Sequence, residues 1–212
     1  MGGYPEGAPC WADVSLSDLA AGKRFYGELL GWTFDEAADA AYGNYTTAYK
    51  DGRRVAAAAD PGGAVFGLWQ GQAHTGFELM RKPGSYCWTE VYTRDKDQAD
   101  AFYESVFGYQ GGDPGSPDEI GADFRTWSLP GTEPGPDGAI GGRSLMSDAF
   151  PAALPDHFLI YFSVEDCDAV AAVCTRLGGR VTAEPFDIPY GRMAVLNDNQ
   201  GAAFAVLQGS GT

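Results

Sequence analysis

Residues 9–16 alternate between large apolar and polar side chains, which predicts a β-strand with Trp11 and Asp13 on one face. Asp18 is typical of a helix N-cap and Gly31 of a helix C-cap, so a helix is predicted between them. Turn residues then separate short apolar runs. These runs predict strands over 32–37, 43–50 and 53–59.

The same order of a strand, a helix and three further strands is predicted from residue 86 and again from residue 157. The helices of these two units are predicted at 96–107 and 166–178. Stretches rich in Gly, Pro and Asp predict loops at 110–122 and 130–138. The predicted fold class is therefore α+β, built from repeated β-α-β-β-β units.

An internal repeat supports these units. Cys10-Trp11 recurs 77 residues later as Cys87-Trp88, and Phe25-Tyr26 recurs at the same offset as Phe102-Tyr103. Both copies of the Cys-Trp pair are followed two residues later by an acidic residue. The two copies therefore indicate two related units that begin with equivalent strands and helices.

A second repeat has a larger offset, because residues 60–66 resemble residues 198–204, which lie 138 positions further on. The two offsets differ by 61 residues, so the first half is predicted to lack about one unit. The predicted organisation is listed here: a truncated N-terminal half over 1–70, a linker over 71–85, a C-terminal domain of two units over 86–208 and a tail over 209–212.

Charge and composition narrow the function. The 212 residues include 29 acidic and 14 basic side chains, a formal net charge of −15, which disfavours nucleic acid as a partner. The sequence predicts neither a membrane span nor a signal peptide, so we expect a cytoplasmic protein. The four cysteines lack CxxC spacing and are expected to be reduced thiols in or near the core.

The paired Cys-Trp and Phe-Tyr motifs, with the two closing turns at Asp60 and Asp198, resemble the vicinal oxygen chelate superfamily. This is the glyoxalase and bleomycin-resistance fold, and the chain is similar to tandem glyoxalase-like proteins often described as hydroxylases. The resemblance covers residues 8–208. It implies that units pair into cup-shaped half barrels, and that the first cup is affected by the truncation.

The resemblance also implies where metal-dependent members hold their ion: a His or Gln early in a unit's first strand and a Glu in its last strand. The matching positions here carry side chains that cannot bind a metal, namely Trp11, Trp88, Leu159, Gly67 and Ala205. The only histidines, His74 and His157, match none of these positions. We therefore expect no metal and no other cofactor.

Strand alternation predicts an aromatic side chain beside a carboxylate on each concave face, a pairing that suits an aromatic or cationic small molecule. The predicted ligand-binding residues are Trp11, Trp88, Tyr92, Phe162, Tyr190 and Arg192. The candidate catalytic residues are Glu90, Asp13 and His157. An alternative role for Asp13 and Glu90 is ion pairing with Arg54 and Arg192.

Three functions follow in order. The first is metal-independent binding of an aromatic or hydrophobic metabolite, in secondary-metabolite biosynthesis or self-resistance. The second is a lyase, isomerase or cyclase that uses a cup carboxylate as general base. The third is a metal-dependent enzyme of glyoxalase type. Because a truncated half would leave unpaired strand edges, we also expect a homodimer.

Overall fold

The computed structural model describes residues 4–34, 56–68, 76–114, 123–133, 135 and 138–209. The predicted strand at 43–50, together with Arg54 and His74, lies outside the described residues.

Helix α1 (Leu19–Leu30) begins and ends where its capping residues predict. The Asp18 carboxylate accepts a hydrogen bond from the Ala21 amide at 2.9 Å, which satisfies one of the free N–H groups of the first turn. Gly31 ends the helix with φ of 70°, a left-handed conformation that glycine adopts without a steric penalty.

Helices α2 (Lys96–Phe107) and α3 (Cys167–Arg176) start in the same way. Asp95 caps α2 and Asp166 caps α3, each through a hydrogen bond from the amide three residues on. The prediction of reduced thiols is confirmed, because all four cysteines are free and Cys167 and Cys174 are buried on one face of α3.

The described residues form two compact units, of which the first comprises residues 1–10, 54–71 and 88–159. Its main strands run in the order β4-β5-β6-β3, with β3 parallel to β6 and the other pairs antiparallel. A separate antiparallel pair, β1-β2, belongs to the same unit. The strands are β1 (Ala56–Ala59), β2 (Val65–Leu68), β3 (Tyr86–Thr93), β4 (Gln110–Gly112), β5 (Phe124–Ser128) and β6 (Ala139–Leu145).

The second unit comprises residues 11–53, 72–87 and 160–212. Its strands run in the order β7-β10-β9-β8, with β7 parallel to β10. In both units, therefore, the first strand of a β-α-β-β-β segment pairs in parallel with the last, which confirms the predicted α+β class. The strands are β7 (His157–Ser163), whose first three residues belong to the first unit, β8 (Arg180–Ile188), β9 (Gly191–Asn197) and β10 (Ala203–Gly209).

Two sequence predictions of secondary structure are wrong. Residues 9–16 form no strand, although their side chains alternate. An alternating pattern becomes a strand only when a neighbouring chain segment supplies hydrogen bonds, and this segment has no such ladder. The predicted loop at 110–122 contains the short strand β4, which pairs with β5.

The repeated closing turns have the same structure in both units. The Asp60 amide donates to the Ala64 carbonyl at 3.0 Å, and the Asp198 amide donates to the Ala202 carbonyl at 2.9 Å. Each aspartate also accepts a hydrogen bond, at 2.9 Å, from a buried tyrosine hydroxyl of a helix. Tyr26 of α1 contacts the later turn, which lies 172 residues further along the chain.

In the first unit the order along the chain is reversed, because the turn at Asp60 precedes its partner Tyr103 of α2. The compact units consequently interleave segments from both sequence halves. This grouping in space differs from the sequential division into residues 1–70 and 86–208, and the loss of one unit from the first half stays a prediction.

Candidate ligand-binding site

The two faces of β3 have different neighbours. Val91 is fully buried and packs in the same cluster as Tyr103 of α2, so this face of the strand contacts the helix. Alternation places Trp88, Glu90 and Tyr92 on the opposite face, as the sequence predicts. We call this opposite side of the first unit's sheet the open face.

Glu90 is the buried carboxylate of the open face, with 6% of its surface exposed. Trp88 Nε1 donates a hydrogen bond to Glu90 Oε2 at 3.3 Å. Along the register of the sheet, Glu90 pairs with Gly142 of β6, and Gly142 pairs with Thr126 of β5. The absence of a side chain at Gly142 leaves room between Glu90 and Thr126.

The ring of Phe124 occupies part of this room. A Cβ atom placed on Gly142 would lie 2.9 Å from Phe124 Cζ and 2.7 Å from the Arg125 carbonyl oxygen, so this position accepts only glycine. The Phe124 ring centre is 6.5 Å from that of Trp88, with the planes tilted by 50°. Glu90 therefore lies among aromatic side chains.

His157 joins the open face through Tyr92. The two rings stack with centres 5.4 Å apart and planes 10° apart. His157 Nδ1 is 2.8 Å from the Pro155 carbonyl oxygen, so in the neutral ring Nδ1 carries the proton and Nε2 is left as an acceptor. The structure thus brings together four of the predicted residues: Trp88, Glu90, Tyr92 and His157.

Other predicted site residues lie in the second unit. Asp13 is exposed, and neither Asp13 nor Trp11 lies on a strand. Phe162 is buried in the hydrophobic core, with its ring centre 5.2 Å from that of Trp32. Tyr190 is 41% exposed in the turn between β8 and β9. The arrangement therefore gives no support to ligand binding by Phe162, because core side chains already surround it.

Arg192 does not form the ion pairs that the sequence suggested. Its guanidinium donates to Asp168 of α3 at 2.6 and 2.9 Å and to Asp187 of β8 at 3.0 Å. The suggested pairing of Glu90 with Arg192 is therefore wrong. Because Asp168 belongs to the helix, Arg192 lies on the helix side of the second unit's sheet, which explains why it is unavailable to Glu90.

Sequence reasoning missed the contribution of β5 and β6 to the open face. Phe124 and Thr126 alternate with Arg125 and Trp127, which face α2, and this alternation was the available signal. Nothing in the sequence indicates which of these residues lies beside Glu90. That neighbourhood depends on the register of three strands.

The metal that the superfamily often carries was tested against the residues present. In the described ranges, no three His, Cys, Asp or Glu side chains come together as a metal site. Trp88 and Leu159, at two of the family's ligand positions, offer no metal-binding atom. The residues therefore do not fit the family's metal. Within the described part of the chain, no helix has the length and apolar character of a membrane span.

The comparison with known proteins agrees with this fold. The model of the Glyoxalase/Bleomycin resistance protein/Dioxygenase superfamily matches residues 88–206, more than half of the chain. The chain therefore belongs to this superfamily. The Mycobacterium bovis protein named "Putative glyoxylase CFP32" is 33% identical over 97% of this chain and 96% of its own length.

A second relative, the "Anthracycline biosynthesis protein DauV" of Streptomyces sp. strain C5, is 29% identical over 97% of this chain and 94% of its own length. Among solved structures, methylmalonyl-CoA epimerase from Mycobacterium tuberculosis covers 59% of this chain and 88% of its own, with 15% identity and a TM-score of 0.44. The alignment with the Mycobacterium bovis protein has 263 positions. Since this chain has 212 residues, at least 51 positions lack a residue of this chain.

Proposed function

We propose that this protein binds a flat aromatic metabolite on the open face of the first unit, without a metal ion, in a pathway of secondary metabolism. The observation that carries the proposal is the buried carboxylate of Glu90 between Trp88 and Phe124. Aromatic side chains stack on a planar ring, and the carboxylate accepts a hydrogen bond from a phenolic hydroxyl or attracts a positive charge. The relatives named for anthracycline biosynthesis support a polycyclic, hydroxylated ligand.

The test is a titration of the purified protein with 1,4-dihydroxyanthraquinone, followed by tryptophan fluorescence. We expect saturable quenching that is largely lost in Trp88→Phe. Glu90→Gln should weaken binding by about 10- to 100-fold, because a hydrogen bond to a charged group is worth about 1.5–3 kcal/mol. Asp187→Asn, an exposed position in the second unit, is the matched control and should leave binding unchanged. Equal affinity in the wild type and Glu90→Gln would refute the site.

The second candidate function is an enzyme in which Glu90 removes a proton from carbon. Burial among aromatic side chains favours it, because a carboxylate in apolar surroundings is a stronger base than in water. His157, held by Tyr92 and the Pro155 carbonyl, would donate or accept the second proton. Exchange of the protons next to the carbonyl of 1-tetralone in D₂O, measured by NMR, tests this. Exchange that persists in Glu90→Gln would exclude Glu90 as the base.

Metal independence has a separate test. Elemental analysis of protein purified without chelators should find less than stoichiometric divalent metal. One tightly held ion per chain would overturn this part of the proposal and favour the metal-dependent enzyme.

We also propose a homodimer in the cytoplasm. Val65 and Leu68 of β2 and Val106 of α2 are large apolar side chains exposed on the first unit, and exposed apolar surface often marks an interface. Light scattering should give about twice the mass of the chain. A monodisperse monomer at micromolar concentration would contradict the dimer.

A further inference from the structure

Phe124 is the residue whose position decides the shape of the open face. Its ring lies over Gly142, close to Trp88, and so forms one wall beside Glu90. Phe124 is also the first residue of β5, at the end of the strand. A residue at a strand end has fewer neighbours to hold it than one in the middle, so its ring needs another anchor.

The preceding residue, Asp123, supplies that anchor. Lys96 Nζ donates to Asp123 Oδ2 at 2.5 Å, and Arg143 Nη1 donates to Asp123 Oδ1 at 2.6 Å. The Asp123 carbonyl accepts two further hydrogen bonds, from Arg143 Nη1 at 3.0 Å and from the Leu145 amide at 2.9 Å. Both the side chain and the backbone of Asp123 are therefore held.

The anchor is itself attached to α2. Arg143 is only 4% exposed, and its Nη2 donates to Asp100 Oδ2 of α2 at 3.1 Å. Hydrogen bonds from Lys96 and then from Arg143 lower the pKa of Asp123 below its usual range, so the carboxylate stays charged at neutral pH. A charged pair buried on one side keeps its geometry better than an exposed pair does.

We infer that Asp123 is a positioning residue that, through its ion pairs with Lys96 and Arg143, fixes the Phe124 ring over Gly142. The open face then offers a preset slot beside Glu90 that accepts flat ligands and rejects thick ones. The selection of flat ligands rests on the proposed function, whereas the positioning of Phe124 does not.

The first experiment needs no ligand. The chain has five tryptophans, each of which gives one indole N–H signal in a ¹⁵N–¹H spectrum, and Trp88→Phe identifies the signal of Trp88. Phe124→Leu should move this signal, because the ring current of Phe124 is lost. Asp123→Asn should also move it in the wild-type background, but not in the Phe124→Leu background, because the effect passes through Phe124.

Equal displacement of the Trp88 signal by Asp123→Asn in both backgrounds would overturn the inference, and so would no displacement in either. If Asp123→Asn does not fold, shown by collapse of all indole signals, Lys96→Gln decides the question, because it removes one of the two ion pairs and leaves Arg143 in place. It should move the signal in the same direction by a smaller amount. Asp187→Asn is the matched control for loss of an ion pair elsewhere.

The second experiment compares two probes with the same pair of hydroxyl groups: flat 1,4-dihydroxyanthraquinone and the three-bladed 1,4-dihydroxytriptycene. We expect the wild type to prefer the flat probe by about tenfold or more, and Phe124→Ala and Asp123→Asn to reduce this preference. An unchanged preference in both variants would overturn the slot. If the wild type binds neither probe while the Trp88 signal behaves as expected, the proposed aromatic ligand is wrong and the positioning role stands.

Discussion

Replacing Tyr26 by phenylalanine tests whether a single buried hydrogen bond fastens α1 to the closing turn of the second unit. The Tyr26 hydroxyl donates to Asp198 Oδ2 at 2.9 Å, and both side chains are buried. The other oxygen of Asp198 accepts hydrogen bonds from the Gln200 and Ala202 amides, at 2.8 and 2.9 Å. The substitution therefore removes one donor from a carboxylate that keeps its backbone partners.

The expected cost follows from these contacts. A hydrogen bond to a charged group contributes about 1.5–3 kcal/mol to stability. The ring of Tyr26 stacks on Trp32, with centres 5.3 Å apart, and meets Phe25 edge to face at 5.2 Å. Phenylalanine keeps both contacts, so no cavity is created. For a chain of this size, about 2–4 °C per kcal/mol predicts a Tm lowered by roughly 3–12 °C.

Urea unfolding followed by circular dichroism measures this change. Tyr190→Phe is the matched control, because Tyr190 is 41% exposed in a turn, and its substitution should change the free energy of unfolding by less than about 0.5 kcal/mol. A Tyr26→Phe variant as stable as the control would show that packing alone holds α1 in place. An unchanged slope of the urea dependence is also expected, since the folded state stays compact.

Three further predictions concern the same framework. Burial, and after it the neighbouring aspartates, raise the pKa of Tyr26 and Tyr103 above the usual value of about 10, so the folded state keeps these protons longer than the unfolded chain. The stability they contribute is complete below pH of about 10 and is lost as the pH rises above it, which urea titrations across that range will show. Gly62→Ala should destabilise by about 1–3 kcal/mol in thermal unfolding, because a Cβ there would lie 2.1 Å from the buried Asp156 Oδ2. Arg192→Gln should cost at most about 1 kcal/mol and leave probe affinity unchanged, because its ion pairs are partly exposed and lie on the helix side.

Controls accompany these variants. Gly209→Ala, where an added Cβ would meet nothing within 4 Å, should be neutral and is compared with Gly62→Ala. The alkaline loss should be shallower in Tyr26→Phe, and an identical pH dependence would argue against the tyrosines as its source. A tenfold loss of probe affinity in Arg192→Gln would restore Arg192 to the site and contradict its observed position.

The helices were predictable because their signals are local. Each of the three helices has an aspartate N-cap, and the helix begins at the next residue. Capping depends on atoms within three residues of each other, so a short stretch of sequence contains the whole interaction. The repeat also led directly to the two closing turns, since Asp60 and Asp198 each make the same contacts with their own turn.

The site was only partly predictable. Alternation along β3 was enough to place Trp88 with Glu90, because side chains of a paired strand point to opposite faces in turn. The same reasoning was wrong for residues 9–16, where no ladder forms. Phe124, Gly142 and Asp123 surround or support Glu90 through the pairing of β3, β6 and β5.

By itself, then, the sequence determined the α+β units, the helix ends, the repeated closing turns and the membership of a carboxylate and an indole on one face. These features depend on contacts within a few residues or on an internal repeat. Only the tertiary structure decided that Tyr26 closes the second unit, that Arg192 pairs with Asp168 and Asp187, and that Asp123 supports Phe124. Such partners lie tens of residues apart or depend on strand register, and their choice follows from packing.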